Sequence, residues 1–223
     1  MKDVKKIMVV SPHPDDETLG AGGTLLKLKS EGHKIYWLNF TNMAKEYGYD
    51  RSGILRRQKE MEMVRKLYAF DGFVDMGLKP GCLSGYHQKD LIERVSRVMQ
   101  NIKPSTVILP FSHDVHSDHR LVFETVYSCT KVFRAPFVRE ILMMEVLSET
   151  EFAGSNAGFV PNYFTDISRH FSEKIRIARV YKSEFSKHPF PRSIDNVRAL
   201  AINRGATAGC RYAESFLLLK KIA

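Results

Sequence analysis

At 223 residues, with 43% hydrophobic and 26% charged side chains, the chain has the size and composition of one globular domain and is short for two. No apolar run reaches the roughly 20 residues of a membrane span, and Ile7-Met8-Val9-Val10 is too short an apolar stretch for a secretory signal, which predicts a cytoplasmic protein. Three scattered cysteines (Cys82, Cys129, Cys210) argue against a disulfide framework or a thiolate metal site, and a net charge of +9 would suit nucleic acid or an anionic small molecule equally.

In chain order, residues 7–10 predict a strand and 18–30 a helix with Leu25, Leu26 and Leu28 on its apolar side. Residues 35–40 are β-branched and aromatic, hence strand. Residues 54–68 carry Leu55, Met61, Val64, Leu67 and Tyr68 at helical spacing, and 91–102 carry Leu91, Ile92, Val95 and Val98 likewise. Residues 106–109 return to a strand pattern. The run after His119 is helical, with Leu121, Val122, Val126 and Val132 as core candidates. The last third is less regular: a strand over 141–146, a loop over 148–162, a helix over 168–181 and a strand over 216–220. Strands alternating with helices imply βαβ units, and so an α/β domain with a mainly parallel sheet covered on both faces.

Open parallel sheets bind ligands beyond the carboxyl ends of their strands. After the first strand the chain reads Ser11-Pro12-His13-Pro14-Asp15-Asp16-Glu17. The prolines stiffen the turn and bias Ser11 and His13 toward extended backbone. An imidazole and a carboxylate three positions apart in a stiff turn can face one ion, with Zn²⁺ suited and Fe²⁺ or another divalent ion also compatible. Adjacent Asp15 and Asp16 should diverge, so if Asp16 binds metal, Asp15 faces the activated water as general base. Helix capping alone would explain the acids, but not a histidine bracketed by prolines. Gly20-Ala21-Gly22-Gly23 is no dinucleotide fingerprint, because position 25 is Leu25; these glycines suit close helix–sheet packing.

After the 106–109 strand comes a second cluster, His113-Asp114-Val115-His116-Ser117-Asp118-His119. His119 is placed to be a third protein ligand, leaving a position open for water. His116 would protonate the leaving amine or steady the oxyanion, with Asp118 holding its tautomer and favouring its charged form. His113 and Asp114 read as helix caps.

The chain resembles the LmbE-like, or PIG-L, family of metal-dependent N-acetylglucosaminyl deacetylases. The family motif A/S-H-P-D-D-E is matched by Ser11 through Glu17, with one extra residue after the serine, and H-x-D-H by His116 to His119. Arg57 and Glu60, and the segments 159–167 and 204–216, extend the likeness over nearly the whole chain. The resemblance implies a Rossmann-like single domain over residues 1–223, and zinc on His13, Asp16 and His119. It further implies Asp15 as base, His116 as acid or oxyanion group supported by Asp118, and Arg57 as a substrate contact. The bland alternative for Arg57 is an i,i+3 pair with Glu60. Arg204 and Tyr212 lie where C-terminal residues could approach the pocket.

A Gly-Glu pair that many members of the resembled family carry after strand two is absent; that loop reads Thr41-Asn42-Met43-Ala44-Lys45-Glu46-Tyr47. The implied reaction is hydrolysis of the acetyl amide of an N-acetyl amino-sugar conjugate. The alternative is a metal-dependent amidase for another acyl conjugate, such as a thiol conjugate or glycopeptide. Dispersed basic residues without an aromatic-plus-basic signature speak against nucleic acid as partner. A homo-oligomer is expected by analogy.

Overall fold

The computed structural model describes residues 4–154 and 158–222. Strand β1 (Lys6–Ser11) is followed by α1 (Asp16–Ser30), β2 (Lys34–Thr41), α2 (Arg51–Tyr68), β3 (Gly72–Leu78), α3 (Gln88–Ile102), β4 (Thr106–Pro110) and α4 (Ser117–Cys129). Then come β5 (Glu140–Met144), β6 (Tyr163–Asp166), α5 (Phe171–Ala178), α6 (Ile194–Ala208) and β7 (Ala213–Lys221). The sheet order is β3-β2-β1-β4-β5-β7-β6. The five strands β3 to β5 pair in parallel, while β7 runs antiparallel to both β5 and β6. The expected mainly parallel α/β sheet is therefore present.

Period-two alternation splits the central strands between two cores. Ile7, Val9, Ile35 and Trp37 face α1, α2, α5 and α6. Met8, Val10, Leu38 and Phe40 face α3 and α4. With both faces covered, β1 and β4 read as near-continuous apolar runs. The glycines of α1 do serve close packing: a Cβ on Gly20 would lie 2.7 Å from Met144 Sδ, and one on Gly23 2.7 Å from Ile167 Cδ1.

A buried ion pair reaches into α1. Glu214 Oε1 and Oε2 accept the N–H groups of Gly23 and Thr24 at 2.8 and 2.7 Å. Lys174 of α5 donates to Glu214 Oε1 at 2.6 Å and to the Leu19 carbonyl at 2.8 Å. The pair ties the first half of α1, and the residues ahead of it, to the last strand.

Three elements lie outside the sequence expectations: β3, β6 and α6. Strand β3 carries Asp75 and two glycines, β6 is a four-residue edge strand, and α6 buries only Val197, Ala201 and Gly205, too small a stripe to stand out. The helix expected over 168–181 is confined to α5, and α2 starts earlier, at Arg51, where Asp50 accepts the Gly53 N–H at 3.1 Å. Leu55 and Val132 are not core residues: they are 46% and 63% exposed, Val132 lying beyond the end of α4. The described part of the 148–162 loop holds no helix or strand, with 155–157 outside the described residues. Among the described residues no helix is long and apolar enough to cross a membrane.

Candidate metal and active site

The strand order reverses between β1 and β4, which is where an open α/β sheet opens a crevice for ligands. The turns leaving these neighbouring strands carry the two histidine clusters, so parallel pairing alone brings them together. Ring centroids of His13 and His116 are 4.6 Å apart, of His13 and His119 5.3 Å, and of His116 and His119 5.6 Å. One donor atom each from His13, Asp16 and His119 falls within 4.8 Å of the others; His13, His116 and Asp118 form a second such group.

Asp16 Oδ2 sits between two imidazoles, 3.6 Å from His13 Nδ1 and 3.4 Å from His119 Nε2, and accepts the His13 backbone N–H at 2.8 Å. The outer nitrogens are held by other carboxylates. His13 Nε2 meets Asp118 Oδ2 at 3.1 Å, and His119 Nδ1 meets Asp114 Oδ2 at 2.8 Å. Asp114 is itself fixed by the Thr150 hydroxyl, which donates to Oδ1 at 2.6 Å. His13 Nδ1 and His119 Nε2 are the nitrogens left facing Asp16, and His119 Nε2 is buried without a hydrogen-bond partner. Two histidines whose far N–H groups are braced by carboxylates, around a shared aspartate, fit a divalent cation of the zinc type.

The charges agree. Burial opposes protonation of His119, but the Asp16 charge and hydrogen bonds to Asp114 and Asp16 win and raise it to about 10. Burial is likewise overcome at His13, raised to about 9 through hydrogen bonds to Asp118 and Asp16. Asp16 is buried yet held far below the usual carboxylate range by His119 and His13. The donor set thus demands positive charge at its centre.

Asp15 diverges from Asp16 as expected and lines a cleft of about 230 Å³ beside His13. Its φ of 138° is a strained value for a residue with a side chain, and its N–H donates to Glu17 Oε2 at 3.1 Å. Burial, then the Asp16 charge, push the Asp15 carboxyl well up, against Arg192 and Arg57. Glu17 does more than cap: buried, it also takes the Thr18 and Tyr181 hydroxyls at 2.7 and 2.9 Å.

The expected Asp118–His116 support is not how these side chains pair. The Asp118 carboxylate takes His13 together with the Gly81 and Leu83 N–H groups at 2.7 and 3.1 Å. Residues two apart at a helix start do not face each other. What reaches the His116 ring is the Asp118 backbone, whose N–H donates to Nδ1 at 3.0 Å. That bond leaves Nε2–H as the outward donor. Burial, then the His13 and His119 charges, lower the His116 pKa to about 4, so its neutral form is favoured.

Arg57 lines the cleft but is itself buried and engaged. Nη1 donates to the Pro14 carbonyl at 2.8 Å, Nη2 donates to Ser183 Oγ at 3.2 Å and to Glu184, and Nε faces Glu60 at 3.6 Å. The i,i+3 pair with Glu60 is thus present alongside contacts that no local spacing announces. Thr41, Asn42 and Met43 border the same cleft. Arg204 and Tyr212 do not: Arg204 pairs with Glu145 at 2.6 and 2.9 Å, and Tyr212 stacks on Phe171 at 4.0 Å. Sequence reasoning does not find Asp114, Glu184 and Arg192 as site residues. Asp114 has a signal, an acid within five residues of three histidines, whereas Glu184 and Arg192 have none.

Fold and site together define a Rossmann-like α/β protein with a two-histidine, one-carboxylate centre at its switch point. The family model described as PIG-L, GlcNAc-PI de-N-acetylase, matches residues 8–130, and the chain belongs to this family. It is 27% identical over 227 aligned positions to a diacetylchitobiose deacetylase of Thermococcus kodakarensis, covering 95% of this chain and 82% of that one. A probable N-acetyl-alpha-D-glucosaminyl L-malate deacetylase 2 of Bacillus cereus is 26% identical, over 81% of this chain and 84% of that one. A conserved protein of Thermus thermophilus shares the fold, with a TM-score of 0.79 at 23% identity over 99% and 97% of the two chains.

Proposed function

We propose that the chain is a zinc-dependent N-deacetylase that hydrolyses the acetyl amide of an N-acetyl amino sugar. The observation that carries this is the convergence of His13, Asp16 and His119, with His119 Nε2 buried and unpartnered, beside a cleft lined by Asp15. His13 Nδ1, Asp16 and His119 Nε2 would hold the ion. A zinc ion there supplies Lewis acidity toward water and toward an amide carbonyl.

The chain's own residues do the rest. Asp15 accepts the proton of the water that attacks the acetyl carbon. As the C–N bond breaks, Asp15 returns that proton to nitrogen, so that a free amine and acetic acid leave, the acid then giving its proton to solvent as acetate. His116 donates its Nε2–H to the carbonyl oxygen as charge grows there. Asp118 and Asp114 orient the two histidines. The named deacetylases among the relatives support the acetyl amino sugar as substrate class. Free Cys82, Cys129 and Cys210 support a reducing, cytoplasmic setting, and assembly into a homo-oligomer belongs to the same reading.

Metal analysis of the purified protein, with acetate release from N-acetylglucosamine and its glycosides before and after chelation, tests this. Zinc near one per chain and chelator-sensitive acetate release are expected. Unaffected turnover in excess chelator would sink the metal assignment.

A further inference from the structure

We propose that Glu184, clamped by two arginines, is the hydroxyl acceptor of the cleft and makes the site selective for uncharged glycosyl groups over anionic conjugates. The inference deepens the deacetylase reading above and rests on it for the position of the sugar.

Arg57 is the one lysine or arginine among the described residues lining the cleft. A guanidinium captures a phosphate or carboxylate through two parallel N–H groups. Here the Nη2 donors go to Ser183 and Glu184, one Nη1 donor goes to the Pro14 carbonyl, and Nε lies against Glu60. No adjacent pair is left for a ligand. The one guanidinium on the cleft wall is therefore already matched.

Glu184 is what matches it, and it is held from several sides. Ser183 Oγ donates to Glu184 Oε1 at 3.0 Å, beside Arg57. Arg192 Nη2 reaches Oε2 at 3.5 Å, while Arg192 Nε donates to the Glu184 carbonyl at 3.0 Å and Nη1 to Ser148 Oγ at 2.8 Å. The side chain stays 22% exposed. A carboxylate offers about four acceptor positions, so one remains for a sugar O–H. Its low conformational freedom means little ordering cost when that bond forms.

Glu149 lies 4.0 Å from Arg192 and Glu60 3.6 Å from Arg57, so each guanidinium has a carboxylate neighbour besides Glu184. A phosphate or carboxylate on the substrate meets the Glu184 carboxylate, while the one guanidinium among the described lining residues is already engaged. A hydroxyl meets a fixed acceptor. Discrimination of this kind works by a repulsive element as much as by an attractive one.

The probes are methyl N-acetylglucosaminide, N-acetylglucosamine 1-phosphate and N-acetylglucosamine 6-phosphate, given to the zinc-loaded full chain. Acetate release gives kcat/KM on the unaltered protein, and calorimetry in an Asp15→Asn background gives Kd without turnover. The methyl glycoside should be favoured over both phosphates by at least about tenfold in either readout, since a like charge brought against Glu184 opposes binding. Glu184→Gln keeps an acceptor oxygen but removes the charge, and should shrink the preference severalfold, through KM rather than kcat. Either phosphate binding as tightly as the glycoside, no binding of any probe, or an undiminished preference in Glu184→Gln overturns the proposal. If no probe is hydrolysed while binding still discriminates by charge, the deacetylase reading fails and the role of Glu184 stands. The preference of the unaltered protein decides the matter even if the glutamine variant misfolds.

Discussion

Replacing Glu214 by alanine strips the Gly23 and Thr24 N–H groups of their carboxylate and leaves the Lys174 ammonium buried beside only the Leu19 carbonyl. Removing one partner of a buried ion pair costs about 3–5 kcal/mol. Each orphaned buried donor would add roughly 1–3 kcal/mol, but the helix carbonyls four residues back can take part of that load. A loss of about 4 kcal/mol is the net expectation, a large share of the roughly 5–15 kcal/mol that holds a typical domain folded. At about 2–4 °C per kcal/mol for a chain of this size, Tm should fall by roughly 8–16 °C. Calorimetry on both proteins, at one fixed zinc concentration because a bound ion shifts Tm by mass action, measures it. Adding Lys174→Met to Glu214→Ala removes the orphaned charge and should recover about 2 kcal/mol. A Glu214→Ala cost below about 1 kcal/mol, or a double variant no better than the single, would refute the view that this pair holds α1 in place.

Asp15→Asn should retain zinc at the stoichiometry of the unaltered protein while acetate release drops by roughly 10²–10⁴-fold, the usual contribution of a general base; full activity would remove Asp15 from that role. Asp114→Ala leaves His119 Nδ1 without its acceptor, so competition against a chromophoric chelator should show zinc affinity reduced by roughly 10–100-fold. Unchanged affinity would mean that Asp114 does not orient the ligand. Asp71 is pulled below the usual carboxylate range: partial burial opposes this, but hydrogen bonds from Lys29 at 2.6 Å and from the Ile35 N–H at 2.8 Å, with the Lys29 and Lys34 charges, outweigh it. Its folded pKa lies below the unfolded one, so its stabilisation is present above the unfolded value of about 3.9 and is lost as pH falls through the folded one. Asp71→Asn should therefore be less stable near neutrality and converge on the unaltered protein in acid; a constant gap at every pH would contradict this.

How much could be read in advance differed from element to element. Strands β1 and β4 were legible because a strand buried on both faces must be continuously apolar. Helix α6 was not, since its buried stripe is Val197, Ala201 and Gly205 and its packing relies on small residues meeting backbone: a Cβ on Gly205 would lie 2.7 Å from the Cys210 carbonyl oxygen. In the site, His13, Asp16 and His119 could be named because stiff, polar turns after two apolar strands are local patterns. Which carboxylate braces which imidazole is not local. Asp118 sits two residues from His116 yet serves His13, 105 positions away, and Asp114, which reads as a helix cap, serves His119 instead.

The sequence by itself determined the kind of chemistry: a strand–turn–helix pattern written twice, each turn supplying imidazole and carboxylate, in an order that a parallel sheet must bring side by side. Family membership and the acids nearest the reacting centre follow from those short stretches. The tertiary structure alone decided which carboxylate braces which imidazole and how the cleft guanidinium is engaged. Those depend on Asp118, Asp114, Glu184 and Arg192 meeting partners from other turns and loops. Such contacts span between 5 and 127 residues of chain, and Coulomb forces and hydrogen bonds act across space whatever the separation along the sequence.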